Sequence, residues 1–286
     1  MSSENIRLGI FLMILATLIF ATQDGVSRFL AEKYNVITTM IIRFWFLASC
    51  IIVCFLFSQK ARKLIKTEQP ILQLVRSTIL ILEVFITVYS FTVVGLLTTS
   101  AIFSCYPLLA ALFSVLILKE TLTTNKLIAI IIGFCGILII IQPGSTIFQS
   151  SSIVPLVGAF LFALYGVLTR KAGLKDSSYT SFIWTGLTGG FLVTFLFPFF
   201  WKQIIGLDIV WIAILSVLGI LGHFLLIKAF EVAEASAIQP FAFFHFVFAS
   251  IIGIAIFSEQ LTYSILLGSI IVIGSGVFYY SKERKE

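Results

Sequence analysis

Residues 80–91 read LILEVFITVYSF, a mostly aliphatic and aromatic run with one charged residue, Glu83. Similar runs recur along the chain: of 286 residues, 59% are hydrophobic and 11% are charged, and the mean hydropathy is +1.12. An average soluble domain has roughly a quarter charged residues. A soluble fold of this length would need a polar exterior that this composition does not supply. The sequence therefore predicts an all-α polytopic membrane protein.

A helix needs about 20 mostly apolar residues to cross the bilayer core, because its backbone polar groups must be satisfied internally. Ten runs meet this requirement and predict ten transmembrane helices. Their approximate bounds are 8–29, 37–57, 72–94, 98–118, 124–142, 152–169, 179–200, 209–230, 236–257 and 264–281. The connections are short, so no separate soluble domain is expected.

The distribution of lysine and arginine predicts the orientation. With the N-terminus inside, cytoplasmic segments hold fifteen of these residues and outer segments hold three. This bias places both termini in the cytoplasm. The net charge of +6 then reflects topology, and no nucleic-acid partner is expected.

The chain has few of the residue patterns that support catalysis or metal binding. All four cysteines lie within apolar runs without a CxxC pair, which indicates packing residues. There is no HExxH, GxSxG or phosphate-loop motif. We therefore expect neither an enzyme nor a bound metal or cofactor.

Two pairs of segments show that the halves of the chain resemble each other. FATQDGVSRFL (20–30) aligns with FALYGVLTRKA (162–172) at an offset of 142, which matches Phe20 with Phe162. LKETLTTNKLIAIIIG (118–133) aligns with FSEQLTYSILLGSIIV (257–272) at an offset of 139. The nearly constant offset predicts two tandem repeats.

The predicted repeats are residues 1–145 and 146–286, each with five spans. Because five is odd, the second repeat must be inserted upside down relative to the first. Inverted repeats are the architecture of alternating-access carriers, whose binding site lies near the bilayer midplane between the halves. The sequence thus predicts a secondary carrier.

Several motifs in a fixed order resemble the drug/metabolite transporter superfamily, specifically its ten-helix EamA-type carriers. They are FATQDGVSRFL, IIRFWF (41–46), YPLLAALFSVLILKE (106–120) and SAIQPFAFFHFVFASIIGIAIFSE (236–259). The resemblance covers the whole chain. It implies a carrier in a bacterial-type cell inner membrane.

The two copies differ in the position of a proline. Pro107 precedes Glu120 by thirteen residues, whereas the second copy has Pro240 near the start of the ninth helix. An early proline followed by aromatic residues is similar to the branch that contains riboflavin and S-adenosylmethionine carriers. Glu120 and Glu259 end equivalent helices, and we expect them to cap the N-termini of the following helices.

Glu83 is the first candidate site residue. A lone charge within the bilayer costs several kcal/mol and normally faces a partner or a water-filled cavity. Helical spacing places it on a polar stripe with Arg76, Thr87 and Ser90. Two roles stay open: Glu83 binds a substrate amine or carries a coupling proton, or it is a structural tie to Arg43 or another interior donor.

Both histidines of the chain also lie within predicted spans. His223 corresponds at offset 139 to Val84, so the repeats place His223 and Glu83 around one cavity. Substrate binding, proton relay and a structural bond all stay open for this histidine. His245 aligns with Tyr106, and both are candidates for the wall of the cavity.

Aromatic side chains are expected around a planar organic substrate. Phe241 and Phe244 are the candidates for that role, and ordinary hydrophobic packing is the alternative. The hydroxyls of Tyr89 and Tyr165 are predicted to lie near the cavity, and anchoring at the membrane interface is the alternative role.

Three further charged residues are predicted to be structural or gating. Asp24 and Arg28 lie one helical turn apart and predict an i,i+4 ion pair, with a gate as the alternative. Arg43 is predicted to be the counter-ion of Glu83 or of a helix C-terminus. Pro107 and Pro240 are assigned to the same structural group as Glu120 and Glu259.

The predicted function is secondary transport of a small organic metabolite by alternating access, with proton coupling left open. The candidate substrates are riboflavin, S-adenosylmethionine and amino-acid-like metabolites. A channel or an exporter of drugs or metabolites is the alternative. The lipid bilayer is the expected environment, and a homodimer stays open.

Overall fold

The computed structural model describes residues 3–119, 124–142, 150–233 and 239–283, and within these ranges the chain is helical without strands. The α-helices are α1 (Ser3–Lys33), α2 (Val36–Phe57), α3 (Gln59–Lys63), α4 (Pro70–Val93), α5 (Leu96–Phe103), α6 (Tyr106–Leu118), α7 (Thr124–Ile141), α8 (Ile153–Ala172), α9 (Ser178–Thr194), α10 (Phe197–Phe200), α11 (Asp208–Val232), α12 (Phe244–Phe257) and α13 (Tyr263–Glu283). Short 3₁₀ turns, Ser150–Ser152 and Gln239–Phe243, precede α8 and α12.

The predicted apolar runs all coincide with helical structure in the described ranges. In the part of the chain that the structure describes, six helical segments are long and apolar enough to cross a membrane: Ile6–Lys33, Val36–Phe57, Pro70–Val93, Leu96–Leu118, Ser150–Ala172 and Asp208–Ala229. Shorter apolar helices are Leu127–Ile141, Phe241–Phe257 and Tyr263–Phe278. Large apolar side chains such as Phe57 and Leu56 are exposed on the outside of the bundle, as lipid contact requires.

Two of the predicted spans are broken helices. The fourth divides into α5 and α6, and the seventh divides into α9 and α10. Pro107 and Pro198 each lie in the first turn of the second piece. A proline is tolerated there because its missing N–H has no intrahelical partner at that position. Pro107 thus begins the second piece of the fourth span, and its structural role stays a prediction.

Corresponding helices of the two halves make corresponding contacts. α1 packs against α11 and α12, while its counterpart α8 packs against α4 and α6. The counterparts α2 and α9 pack against each other, as do α7 and α13. Each contact thus recurs when the halves are interchanged. The domain boundary between residues 145 and 146 stays a prediction, because residues 143–149 lie outside the described ranges.

Arg76 lies in the first half of α4, on the polar stripe with Glu83. It is fully buried, because α8 and α9 close around the first half of α4. Its guanidinium donates to the hydroxyls of Thr169 at 3.1 Å and Thr185 at 2.9 Å and to the carbonyl of Ser181. It also donates to Gln73 at 3.0 Å. These bonds hold the three helices together at one end of the bundle.

Candidate functional site

A central cavity of about 750 Å³, counting its open side, lies between the two halves. It is lined by α1, α2, α4, α5 and α6 from the first half and by α8, α11 and α12 from the second. The mixture of mostly apolar walls with a few polar groups is typical of sites for small organic molecules. Its polar lining consists of Thr17, Gln23, Asp24, Arg43, Glu83, Thr87, Thr99, Ser100, Tyr106, His223 and His245.

Glu83 faces this cavity from the middle of α4. The residue is only 4% exposed, and its Oε1 accepts a hydrogen bond from the Thr87 hydroxyl at 2.7 Å. Thr87 also lines the cavity, as predicted from the polar stripe. Arg76 and Ser90 on the same stripe are buried as well, although neither lines the cavity. The stripe therefore faces the interior along α4.

Arg43 binds a different partner from the one predicted. Its Nη2 lies 3.1 Å from His223 Nε2, and it makes no ion pair with Glu83 within the described part of the chain. The reason is that α11 packs against α2 and brings His223 alongside the guanidinium. A guanidinium only donates hydrogen bonds, so His223 Nε2 is the acceptor. The ring is therefore neutral and carries its proton on Nδ1.

His245 is paired with Asp24 across the two halves. The Nε2 of His245 lies 2.9 Å from Asp24 Oδ2, and both side chains line the cavity. This pairing replaces the predicted i,i+4 ion pair between Asp24 and Arg28. Arg28 instead binds Glu32 at 2.8 Å and Glu259, because these carboxylates surround it at the end of α1.

The aromatic wall of the cavity includes the predicted Tyr106, but its phenylalanines are not the predicted Phe241 and Phe244. Phe20, Phe91, Phe103, Tyr106 and Phe162 line it. The rings of Tyr106 and Phe162 meet edge to face, with centroids 4.9 Å apart. Phe20 and Phe162 are the residues matched by the internal repeat, so that alignment was the signal that could have found them.

Phe241 and Phe244 do not line the cavity, contrary to the expectation. Their rings stack on each other with centroids 6.4 Å apart, and Phe244 is 40% exposed. Phe241 packs into a small apolar cluster between α1 and α11. Both precede or begin α12, and His245 is the residue in this segment that reaches the cavity. The backbone of Pro240 lies in the preceding 3₁₀ turn, and its side chain is outside the described set.

Neither of the two other predicted tyrosines lines the cavity. Tyr89 is exposed. It follows Thr87 by two residues in α4, so its side chain points to the opposite face of the helix. Tyr165 is buried, and its hydroxyl accepts from Arg76 Nη1 at 3.4 Å. It belongs to the interhelical bonds around Arg76 and not to the cavity lining.

Arg28, Glu259 and the backbone N–H groups of Leu96 and Leu97 form a cluster that we call the Arg28 latch. Glu259 accepts from these two N–H groups at 2.7 and 2.6 Å and pairs with Arg28. It therefore caps α5 of the other half. The expectation had been that it would cap the helix that follows it in the chain. Glu120, its counterpart in the first half, lies outside the described residues.

Gly95 makes this cap sterically possible. Its φ is +89°, a backbone conformation that side chains disfavour, and a Cβ there would lie 2.6 Å from Glu259 Oε1. The carboxylate thus occupies the space that a side chain would need. The N-terminus of α5 also favours a negative charge at this position.

Several polar atoms at the cavity have no partner within the described part of the chain. They are Gln23 Oε1, Ser100 Oγ and His223 Nδ1. The sequence analysis did not single out Gln23 or Ser100, because a single glutamine or serine in an apolar run carries no distinctive pattern. Such buried atoms normally have a hydrogen-bond partner, which a ligand or water could supply.

Comparison with known proteins agrees with this architecture. The model of the EamA-like transporter family matches residues 7–142 and 150–281. A solved crystal structure aligns with 100% of this chain and with 99% of its own chain. The TM-score is 0.68 and the sequence identity is 13%. At that identity the likeness concerns the fold alone.

Two kinds of curated relatives have named substrates. An S-adenosylmethionine uptake transporter of Rickettsia felis is 23% identical over 277 residues, covering 97% of this chain and 94% of the relative. A riboflavin transporter of Vibrio cholerae is 25% identical over 289 residues, with coverages of 97% and 94%. The match to the family model extends over most of the chain and confirms the resemblance seen in the motifs. The chain belongs to the EamA-like transporter family and is a multi-pass membrane transporter of small metabolites, not an enzyme.

Proposed function

We propose that this protein is a secondary carrier that moves a small organic metabolite across a cell inner membrane by alternating access. The observation that supports this most strongly is the single cavity to which both halves contribute ionisable groups: Asp24, Arg43 and Glu83 from one, His223 and His245 from the other. Charged groups inside a membrane protein are costly and typically mark a substrate or ion pathway.

The Arg28 latch supports the alternating part of the proposal. It joins α1, α5 and the end of α12 just beyond the cavity, one helical turn from Asp24 on α1 and from Ser100 on α5. A carrier must close one side of its site while the other is open. In this proposal the latch is the closed outer gate, both termini are cytoplasmic, and residues 1–145 rock against residues 146–286.

Proton coupling is a further part of the proposal. Glu83 and the Asp24–His245 pair line the same cavity, so substrate and proton can compete for the same carboxylates. A substrate with a cationic group would displace a proton from such a site. The relatives make S-adenosylmethionine the first candidate, with riboflavin and amino-acid-like metabolites next.

Counterflow in proteoliposomes tests the proposal. Vesicles loaded with unlabelled S-adenosylmethionine, riboflavin or an amino acid would be diluted into a trace of the same labelled compound. A carrier produces a transient, saturable accumulation of label for at least one compound, and empty vesicles do not. Ohmic current without saturable exchange would instead indicate a channel and contradict the proposal.

A further inference from the structure

Arg43 differs from the other deeply buried arginine of the bundle. Arg76 donates to oxygen acceptors on α4, α8 and α9, including Gln73, Thr169 and Thr185. Arg43 is 7% exposed, and its only hydrogen-bond partner in the described ranges is the nitrogen of His223. Guanidinium has five N–H donors and stays charged in proteins. Arg43 thus retains N–H donors that have no acceptor among the described residues.

The Arg43–His223 pair lies at the wall of the cavity. Arg43 and His223 both line it, and α11 approaches so closely that a Cβ on Gly219 would lie 3.1 Å from Arg43 Nε. His223 accepts from Arg43 through Nε2, so its Nδ1 is a donor, and that atom is buried without a partner in the described part of the chain. The Nδ1–H points away from the guanidinium, so the donors that Arg43 retains for an anion are its own N–H groups, and His223 holds the guanidinium in place through Nε2.

The acidic groups of the cavity already have other partners. Asp24 is paired with His245, and Glu83 accepts from Thr87. Neither is in ion-pair contact with Arg43 among the described residues. Arg43 therefore lacks the direct carboxylate partner that a buried arginine normally binds through two parallel hydrogen bonds.

We infer that Arg43 and His223 form a carboxylate-binding subsite, and that the transported metabolite carries a carboxylate. This inference rests on the proposed transport function and names the part of the substrate that the cavity recognises. The carboxylate would accept from the Arg43 guanidinium, which His223 holds in position through Nε2. A cationic group on the same molecule would then face Asp24 and Glu83 across the cavity, which fits a zwitterion better than an uncharged planar ring.

The test compares ligands that differ only in the carboxylate. Binding of S-adenosylmethionine and its decarboxylated analogue, and of tryptophan and tryptamine, would be measured by calorimetry on the full chain in detergent, with riboflavin as a carboxylate-free compound. The wild-type protein is expected to bind the carboxylated member of at least one pair ~10-fold or more tightly, because hydrogen bonds to a charged group are worth about that factor.

Arg43→Gln should bring the affinity ratio of that pair close to one, mainly by weakening the carboxylated ligand. His223→Gln retains a hydrogen-bonding side chain and should reduce the ratio less. It provides a second readout if Arg43→Gln does not fold. Arg62→Gln, in the exposed helix α3, is the matched control and should leave the ratio unchanged.

Three outcomes would overturn the inference. Equal affinity for both members of every pair in the wild-type protein, or an unchanged ratio in both the Arg43→Gln and His223→Gln variants, would remove the subsite while transport itself stands. Counterflow with riboflavin but with no carboxylated compound would also remove the subsite while transport itself stands. No counterflow with any compound of the panel would contradict the proposed function, and the subsite would fall with it.

Discussion

At the scale of single residues, the cavity is organised by two pairs that each join the halves of the chain. Arg43 on α2 donates to His223 on α11, and Asp24 on α1 accepts from His245 on α12. Among the described residues, Glu83 has only a local partner, Thr87, one turn away on the same helix. Glu83 is therefore the carboxylate of the cavity that is freest to exchange its interaction for one with a substrate or a proton.

Replacing Glu83 tests that role. An amide neither binds a transported proton nor carries a charge to attract a cationic group. Glu83→Gln should therefore weaken binding of a cationic substrate by ~10-fold, in line with the loss of a charge-assisted hydrogen bond, and flatten the dependence of counterflow on pH. The control is Glu68→Gln, an exposed carboxylate in a connection between helices. Unchanged affinity and pH dependence would remove Glu83 from the transport mechanism.

Residue types and spacing were sufficient to single out part of this site. Glu83, Tyr106, His223 and His245 stand out because charged or ionisable side chains are rare in apolar runs, and all four line the cavity. Their partners could not be predicted, because pairing depends on which helices pack together. Gln23 and Ser100 gave no signal, since small or neutral polar residues are common in membrane helices.

At the scale of helices, close approach between α11 and α2 fixes the position of Arg43. Gly219 leaves room for the guanidinium, and its absent side chain is the reason why α11 can lie this near. Helix interfaces in membranes commonly use small residues in this way. The sequence contains many glycines in apolar runs, so their individual roles could be assigned only once the helix pairs were known.

A larger side chain at Gly219 should disturb Arg43 without changing its charge. Gly219→Val is expected to weaken substrate binding by ~10-fold, because a displaced guanidinium loses part of its charge-assisted hydrogen bonding. Gly166→Val on α8 is the matched control, because a Cβ there has no atom within 4 Å. Ligand titration on both purified variants measures the difference, and equal affinities would contradict the assigned packing role.

The connection between α8 and α9 contributes stability through Asp176. Burial raises the pKa of this carboxyl, but hydrogen bonds from the Thr67 hydroxyl, the Gln73 amide and the Glu68 backbone lower it by more, so the net pKa is below the ordinary value. A depressed folded-state pKa stabilises the fold above the unfolded-state pKa of about 3.9 and loses that effect as pH falls through the folded value.

Acid titration of thermal stability tests this contribution. The Tm of the wild-type protein should fall below about pH 4, where the unfolded-state carboxyl begins to take up its proton. Asp176→Asn should have a lower Tm near neutral pH and a smaller decrease on acidification. Glu68→Gln, in the connection before α4, should behave like the wild type. An identical acid response in Asp176→Asn would show that Asp176 does not contribute.

At the scale of the whole molecule, the two ends of the bundle are tied in different ways. One end has the bonds of Arg76 to α8 and α9, and the other has the Arg28 latch between α1, α5 and α12. The helix contacts recur when the two halves are interchanged. Which residues tie each end was not predictable, because it depends on hydrogen bonds between residues far apart in sequence.

Weakening the Arg28 latch should open the end of the cavity that it covers. Glu259→Gln removes the charge that Arg28 and the α5 N-terminus bind, so a larger fraction of molecules should be open there. The readout is the rate at which a membrane-impermeant thiol reagent modifies a cysteine at Ser100, in a protein whose native cysteines are replaced. Glu32→Gln keeps the bond to Glu259 and serves as the control. Equal rates in both variants would show that the latch does not gate access.

The most direct test of the central claim uses the same Ser100→Cys protein with Glu259 intact. Ser100 lines the cavity and is 1% exposed, so a ligand bound there should cover it. Modification of this cysteine would be followed with and without the compound that gives counterflow. The account predicts that saturating substrate slows modification, with half-maximal protection at the concentration that half-saturates transport. Full modification at saturating substrate would show that transport does not pass through this cavity.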